Sequence, residues 1–231
     1  MFRRISHQRY LALLGALFAV VFAWSAYRPH HPADWLLENA LVVLGLGLLL
    51  GLRRRLPLSR ISHTCIFLFL CLHELGAHYT YSEVPYQEWL PCLAGGRNHF
   101  DRFIHFGYGL LLAYPIREVF LRVAEVRGFW GYFLPLDLTM STSMLYEIIE
   151  WIAAETFGGD LGTAFLGTQG DVWDAHKDMA LASLGALLAM ISTAALNWRF
   201  DRDFAREWIE SLRVKHAAPL GEDEIARLRE K

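Results

Sequence analysis

Little in this chain can build a covalent or thiolate framework, because only three of its 231 residues are cysteine. Cys65 and Cys71 share one apolar segment and Cys92 sits in a loop, which excludes an even, spaced disulfide scaffold and leaves cysteine without a redox reading. Internal repeats, low-complexity tracts and a soluble second domain are lacking as well. Basic residues are scarce in every second connection between apolar stretches: 28–33, 82–100 and 157–175 hold only Arg28 and Arg97 between them. What the chain has in abundance is apolar sequence, with 54% hydrophobic and 14% aromatic residues. A mean hydropathy of +0.25 exceeds that of a soluble domain of this size, so the chain reads as one compact membrane domain.

Runs of about 20 mostly apolar residues predict six transmembrane helices, over 10–27, 34–52, 61–81, 101–120, 129–156 and 176–198. The first, second and sixth read as clean spans; the third, fourth and fifth are interrupted by polar groups, which predicts helices inside the bundle. The N-terminal MFRRISHQRY followed by an apolar stretch looks like a signal peptide. Its near-spanning length and the following RPHHPADW predict an uncleaved span instead. The net charge of -2 hides an uneven distribution. Arg3, Arg4 and Arg9, then Arg53, Arg54, Arg55 and Arg60, then Arg117, Arg122 and Arg127, then Arg199, Arg202 and Arg206 mark alternate connections. Short cytoplasmic loops collect Arg and Lys, so both termini are predicted to be cytoplasmic. The expected organisation is an all-α six-span membrane domain over 1–198 and a charged cytoplasmic tail over 199–231. In that tail Phe200, Phe204, Trp208 and Leu212 fall at helical spacing, which suits either an amphipathic helix on the membrane face or a solvated terminal helix.

This orientation gathers the ionisable residues at one end. HELGAHYTY closes span three, NHFDRFIHF opens span four, YEIIEW closes span five and DVWDAHKD opens span six, all at the outer side. An ionisable group at a helix centre costs about 2.5 to 3.5 kcal/mol on insertion scales, so such a gathering reads as a functional site. Glu74 and His78 are four apart, as are Asp101 and His105, and Asp174 and Asp178; Glu147 and Glu150 are three apart. Each pair therefore shares a helix face, the way bundles build carboxylate and histidine metal centres.

Glu74, His78, Asp101, His105, Asp174 and Asp178 are the expected metal ligands, holding one or two divalent ions. Carboxylate with imidazole suits zinc, manganese or iron, and zinc is expected first by abundance alone. Glu147 and Glu150 are the expected catalytic residues, as ligand or general base, since two acids on one face repel unless something positive lies between them. Arg97, Arg102, Lys177 and Asp171 are the expected substrate contacts. His73 and His78 do not form a zincin pair, because five residues on a helix turn them about 140° apart. Intrahelical acid–histidine bonds, and Asp171 or Asp174 as a helix N-cap, are the structural alternatives. His30, His31, His63 and His99 read as interface residues. The outer connections 82–98, as a surface flap, and 157–171, as a glycine-rich re-entrant segment, are the expected irregular pieces.

The strings HELGAHYTYSEVP, NHFDRFIHFGYGLLLAYPIRE, SMLYEIIEW and FLGTQGDVWDAHKDM resemble the YjdF-like family of bacterial inner-membrane proteins, across nearly all of the chain except the tail. That resemblance implies an integral inner-membrane protein and supplies no reaction. The last two spans, through Glu147, Glu150, Asp171, Asp174 and Asp178, are similar to VanZ-like membrane proteins, which points toward cell-envelope lipids or glycopeptide response. The expected function is a metal-dependent hydrolase or transferase at the outer leaflet, its partner a membrane lipid or lipid-linked substrate and not nucleic acid. The alternatives are a proton- or divalent-cation-coupled transporter and a non-catalytic envelope sensor or scaffold. A transport path needs ionisable steps toward the cytoplasm, and the inner halves offer little beyond Arg117, Glu118 and Asp137.

Overall fold

In a computed structural model, which describes residues 5–89, 96–157, 166, 168–215 and 220–230, the chain is helical, with no strand among the described residues. Six long helices occupy the six apolar stretches: α1 (His7–Ser25), α2 (Pro32–Leu52), α3 (Arg60–Tyr79), α5 (Phe100–Val123), α6 (Trp130–Phe157) and α7 (Asp174–Phe200). Between α3 and α5 lie a 3₁₀ turn, Tyr81–Glu83, and the short α4 (Tyr86–Trp89); α8 (Phe204–Ser211) and α9 (Leu220–Arg229) follow α7. Local chemistry sets the starts. Ser6 and Ser59 cap α1 and α3 by accepting the amides of Arg9 at 3.3 Å and Ser62 at 3.2 Å, and Pro32 opens α2 at a position that needs no amide donor. Pro135 lies within α6, where the buried Thr139 hydroxyl donates to its carbonyl at 2.7 Å.

By length and apolarity α1, α2, α3 and α7 suffice to cross a membrane. The helices α5 and α6 are long enough but more polar, carrying Asp101, Arg102, Arg117, Glu118 and Arg122, and Asp137, Glu147, Glu150 and Glu155 respectively. The span expected to be clean at 34–52 is not: Asp34, Glu38 and Asn39 are all buried within α2. They lie toward its N-terminal end, where Thr80 donates to Asp34 Oδ2 at 3.4 Å and Tyr146 of α6 donates to Glu38. Trp35 Nε1 there donates to Ser25 Oγ at 2.7 Å.

The helices α5 and α7 form the closest pair. A Cβ added at Gly109 would meet the Ala186 amide nitrogen at 2.7 Å and press still harder on the Ala182 carbonyl; one added at Gly185 would meet the Leu110 nitrogen at 2.7 Å and press on the Phe106 carbonyl. Ala113, Ala182 and Ala186, all fully buried, continue this small-residue seam, which lets two backbones touch where hydrophobicity supplies no drive between helices. The pairing is parallel, for Arg102 reaches Asp174 about two turns before Gly109 reaches Ala182. At the opposite end, Glu118 of α5 accepts the Ser59 amide at 2.8 Å and the Ser62 hydroxyl at 2.5 Å, pinning the start of α3.

The tail is fastened to the bundle. Phe204 and Trp208 of α8 pack on Tyr132, Ser211 Oγ accepts the Phe129 amide at 2.9 Å, and Gly128 has φ +55° where Glu207 lies against it. Of the stripe read from the sequence, Phe200 and Leu212 stay exposed, so only its middle docks.

Replacing Gly109 or Gly185 with valine is expected to lower stability by at least about 1–3 kcal/mol, since the seam has no flexible neighbour to yield. Gly15→Ala and Gly51→Ala, made in open space, should leave the melting temperature in detergent unchanged.

Candidate metal site

The parallel register of α5 and α7 brings Asp101 and His105 beside Asp174 and Asp178, and α6 adds Glu147 from the antiparallel direction. One ligand atom each from Asp101, His105 and Asp178 lies within 4.8 Å of the other two. His105 Nε2 is 3.7 Å from Asp101 Oδ1 and 3.4 Å from Glu147 Oε1. Asp178 is 2% exposed, and its Oδ1, like Glu147 Oε1, makes no hydrogen bond. A buried acceptor left without a donor costs about 1–3 kcal/mol, so these oxygens mark a place where something positive belongs. Two metal–ligand bonds of about 2.0–2.2 Å end to end nearly span the widest separation, so one ion fits after a small inward shift of the side chains.

The outer acids are already neutralised by protein. Arg102 Nη2 binds Asp171 at 2.5 Å and Asp174 at 3.0 Å, Arg97 also bonds to Asp174, and Lys177 Nζ binds Asp171 at 2.5 Å. The Lys177 ammonium, the Trp173 amide and the Arg102 guanidinium together hold the Asp171 carboxyl well below the usual carboxylate range. Arg97, Arg102, Lys177 and Asp171, expected to contact substrate, thus form an ion-paired rim over the cluster. Asp174 belongs to that rim more than to the metal set. The rim is laced to the preceding connection: Gln169 and Asn98 exchange two bonds of 2.9 Å, and Arg97 donates to the Thr168 carbonyl. Neither Asp171 nor Asp174 caps α7 through its side chain; Trp173 holds the cap position. Much of the expected flap and re-entrant segment, 90–95, 158–165 and 167, lies outside the described residues.

Two expected ligands sit elsewhere. His78 stacks on Trp24 with ring centroids 4.5 Å apart, and its Nδ1 lies 2.9 Å from the Ser25 carbonyl, so it faces α1. Glu74 is fully buried in α3 beside Ser25, with neither oxygen in good hydrogen-bonding geometry, and is not in the Asp101–His105–Asp178 group. Glu150 lies within electrostatic reach of Asp101, Glu147 and Glu38.

Residues that spacing did not single out complete the lining. Tyr146 donates to Glu38 Oε2 at 2.8 Å, joining α6 to α2, and the Tyr81 hydroxyl lies 2.6 Å from His73 Nδ1. A cavity of about 550 Å³ runs from Glu38, His73, Tyr81, Asp101, His105 and Tyr146 along the apolar faces of α2, α3 and α5 to Leu58 and Val119. Buried Glu38, at the head of a leucine- and valine-rich run, was the signal that sequence reading passed over.

A family model described as "Predicted membrane protein (DUF2238)" matches residues 10–199. The chain belongs to the DUF2238 family. Within it, the inner membrane protein YjdF of Escherichia coli (strain K12) is 38% identical over 190 residues, covering 80% of this chain and 89% of that protein. No solved structure matches. The DUF2238 match takes in α1 to α7 with the whole polar cluster, and leaves α8 and α9 outside. The chain is thus an integral membrane protein whose relative is named for the inner membrane.

Arg102→Gln is expected to destabilise the protein by about 1–3 kcal/mol, since it removes one of the two cations that each of Asp171 and Asp174 pairs with. Adding Asp174→Asn should recover part of that loss in the melting temperature, and full additivity of the two changes would refute the rim pairing.

Proposed function

We propose that this DUF2238 protein is a metal-dependent hydrolase or transferase of the inner membrane, acting at the outer leaflet on a lipid or lipid-linked substrate. The observation that carries the reading is the junction of a carboxylate–histidine cluster with the head of a long apolar cavity. Three protein ligands, Asp101, His105 and Asp178, leave an open position of the kind catalytic sites keep. Zinc is the first expectation, with manganese or iron as the other suitable ions.

A bound divalent ion supplies activation of water and charge neutralisation at the reacting centre. The chain's own residues do the rest. Glu147, whose Oε1 makes no hydrogen bond and lies 3.4 Å from His105 Nε2, takes up a proton as general base, and Glu150 lies within electrostatic reach of it. Tyr146 and Glu38 hold the mouth of the cavity together.

In this reading the six long helices are six crossings, both termini are cytoplasmic and the cluster faces the periplasm. The alternating arginine-rich connections and the membrane family support it. Transport is disfavoured because Glu118, one of the few inner acids, is engaged as a clamp on the start of α3.

Protein purified without chelator is expected to carry about one divalent ion per chain by elemental analysis. His105→Ala and Asp178→Asn should lose it, whereas His78→Ala should retain it. Wild-type protein without stoichiometric metal would overturn the reading.

A further inference from the structure

The proposed function leaves the class of lipid open, and the shape of the cavity narrows it. On α5 the lining residues Asp101, Ile104, Tyr108, Leu112, Ile116 and Val119 recur three or four apart, so one continuous face borders the cavity. That stretch is about 27 Å long at the helical rise. One leaflet supplies about half of the roughly 30 Å hydrocarbon core, so a phospholipid tail from the outer side would fill only the upper half. The polar groups are confined to one end; beyond Tyr108 the α5 lining is apolar. The cavity also opens sideways, since Leu41, Leu48 and Leu145 line it and are themselves 45%, 61% and 52% exposed on the outer faces of α2 and α6.

We propose that this cavity seats the single long chain of a polyprenyl phosphate, which enters between α2 and α6 and lies along α5 with its phosphate at the Asp101–His105–Asp178 cluster. The seat deepens the proposed function and rests on its placement of the cluster at the outer leaflet. A phosphate head suits a site where a divalent ion stands among carboxylates, because the ion supplies the positive charge that the acids withhold. The Tyr146–Glu38 bond crosses the gap at the head end, so an entering lipid passes beneath it or breaks it.

Gly45 and Gly47 make a matched test on one helix. Gly45 lines the cavity with nothing within 4 Å of an added Cβ; Gly47 has the same freedom but does not line it. Native mass spectrometry of the full chain in detergent, titrated with a long-chain polyprenyl phosphate and separately with phosphatidylglycerol, reads the outcome. The polyprenyl phosphate is expected to bind at least about tenfold more tightly. Gly45→Trp should weaken it by about tenfold while Gly47→Trp changes it less than about twofold. Leu112→Trp provides a second block should Gly45→Trp fail to fold. Asp178→Asn is expected to lose metal and to weaken the polyprenyl phosphate while leaving the uncharged polyprenol of the same length unchanged, so the seat of the chain is read separately from the metal. Equal binding of the two lipids, binding of neither, or binding indifferent to both cavity-filling variants would overturn the seat.

Discussion

The backbone contact between α5 and α7 at Gly109 and Gly185 is the constraint on which the rest of the structure depends. Between helices in lipid, apolar side chains gain nothing by meeting one another rather than the surrounding tails, so close packing and polar pairing decide which helices associate. A seam of glycine and alanine supplies that packing and, because the two glycines interlock with opposite backbones, also sets the register. Once it is set, the first turns of both helices are side by side. Asp101 and His105 then have no choice of neighbours but Asp174 and Asp178. The helix α6 packs on both and brings Glu147 to the same place from the opposite direction.

That forced gathering of acids divides into two electrostatic zones. Near the aqueous end Arg97, Arg102 and Lys177 satisfy Asp171 and Asp174, and the pairs close the connection over the bundle. Deeper in, Asp178 and Glu147 keep oxygens without donors while His105 stands 3.4 Å from Glu147. A fold selected only for stability would pair these as it pairs the rim, or replace them by apolar residues. On the α2 and α3 side tyrosines meet two of the polar groups, Tyr146 on Glu38 and Tyr81 on His73, while Glu74 keeps both oxygens without a bond. Where α5, α6 and α7 converge, the unmet oxygens of Asp178 and Glu147 stand beside a histidine, a combination that can share a positive ion.

The helices were legible because apolar length is a one-dimensional signal. The pairs Asp101 with His105 and Asp174 with Asp178 were legible because helical spacing puts four-apart residues on one face. Spacing does not name the neighbour that face meets. Glu74 and His78 obey the same rule as Asp101 and His105, yet α3 lies between α1 and α5, and His78 turns to Trp24 of α1. The partners of the arginines were illegible for a related reason: Arg97 and Arg102 find acids about 70 residues away, which only tertiary structure supplies. Glu38 was overlooked because the leucine- and valine-rich run after Asn39 dominates the span, although buried acids at its head are the rarer and more telling observation.

The two ends of the bundle put their acids to different uses, and that difference bears on mechanism. At one end Glu118 accepts three bonds from the start of α3, so its charge is consumed in holding a helix terminus. At the other, Asp178 Oδ1 and Glu147 Oε1 are buried without a hydrogen bond. Between them the cavity lining below Tyr108 passes through Leu112, Pro115, Ile116 and Val119. A proton or cation moving along that wall would meet no exchangeable group for several turns, whereas a hydrocarbon chain meets only surface like its own. One polar end joined to one long apolar wall matches the polarity of a lipid, and that match is what favours chemistry on a lipid head over conduction.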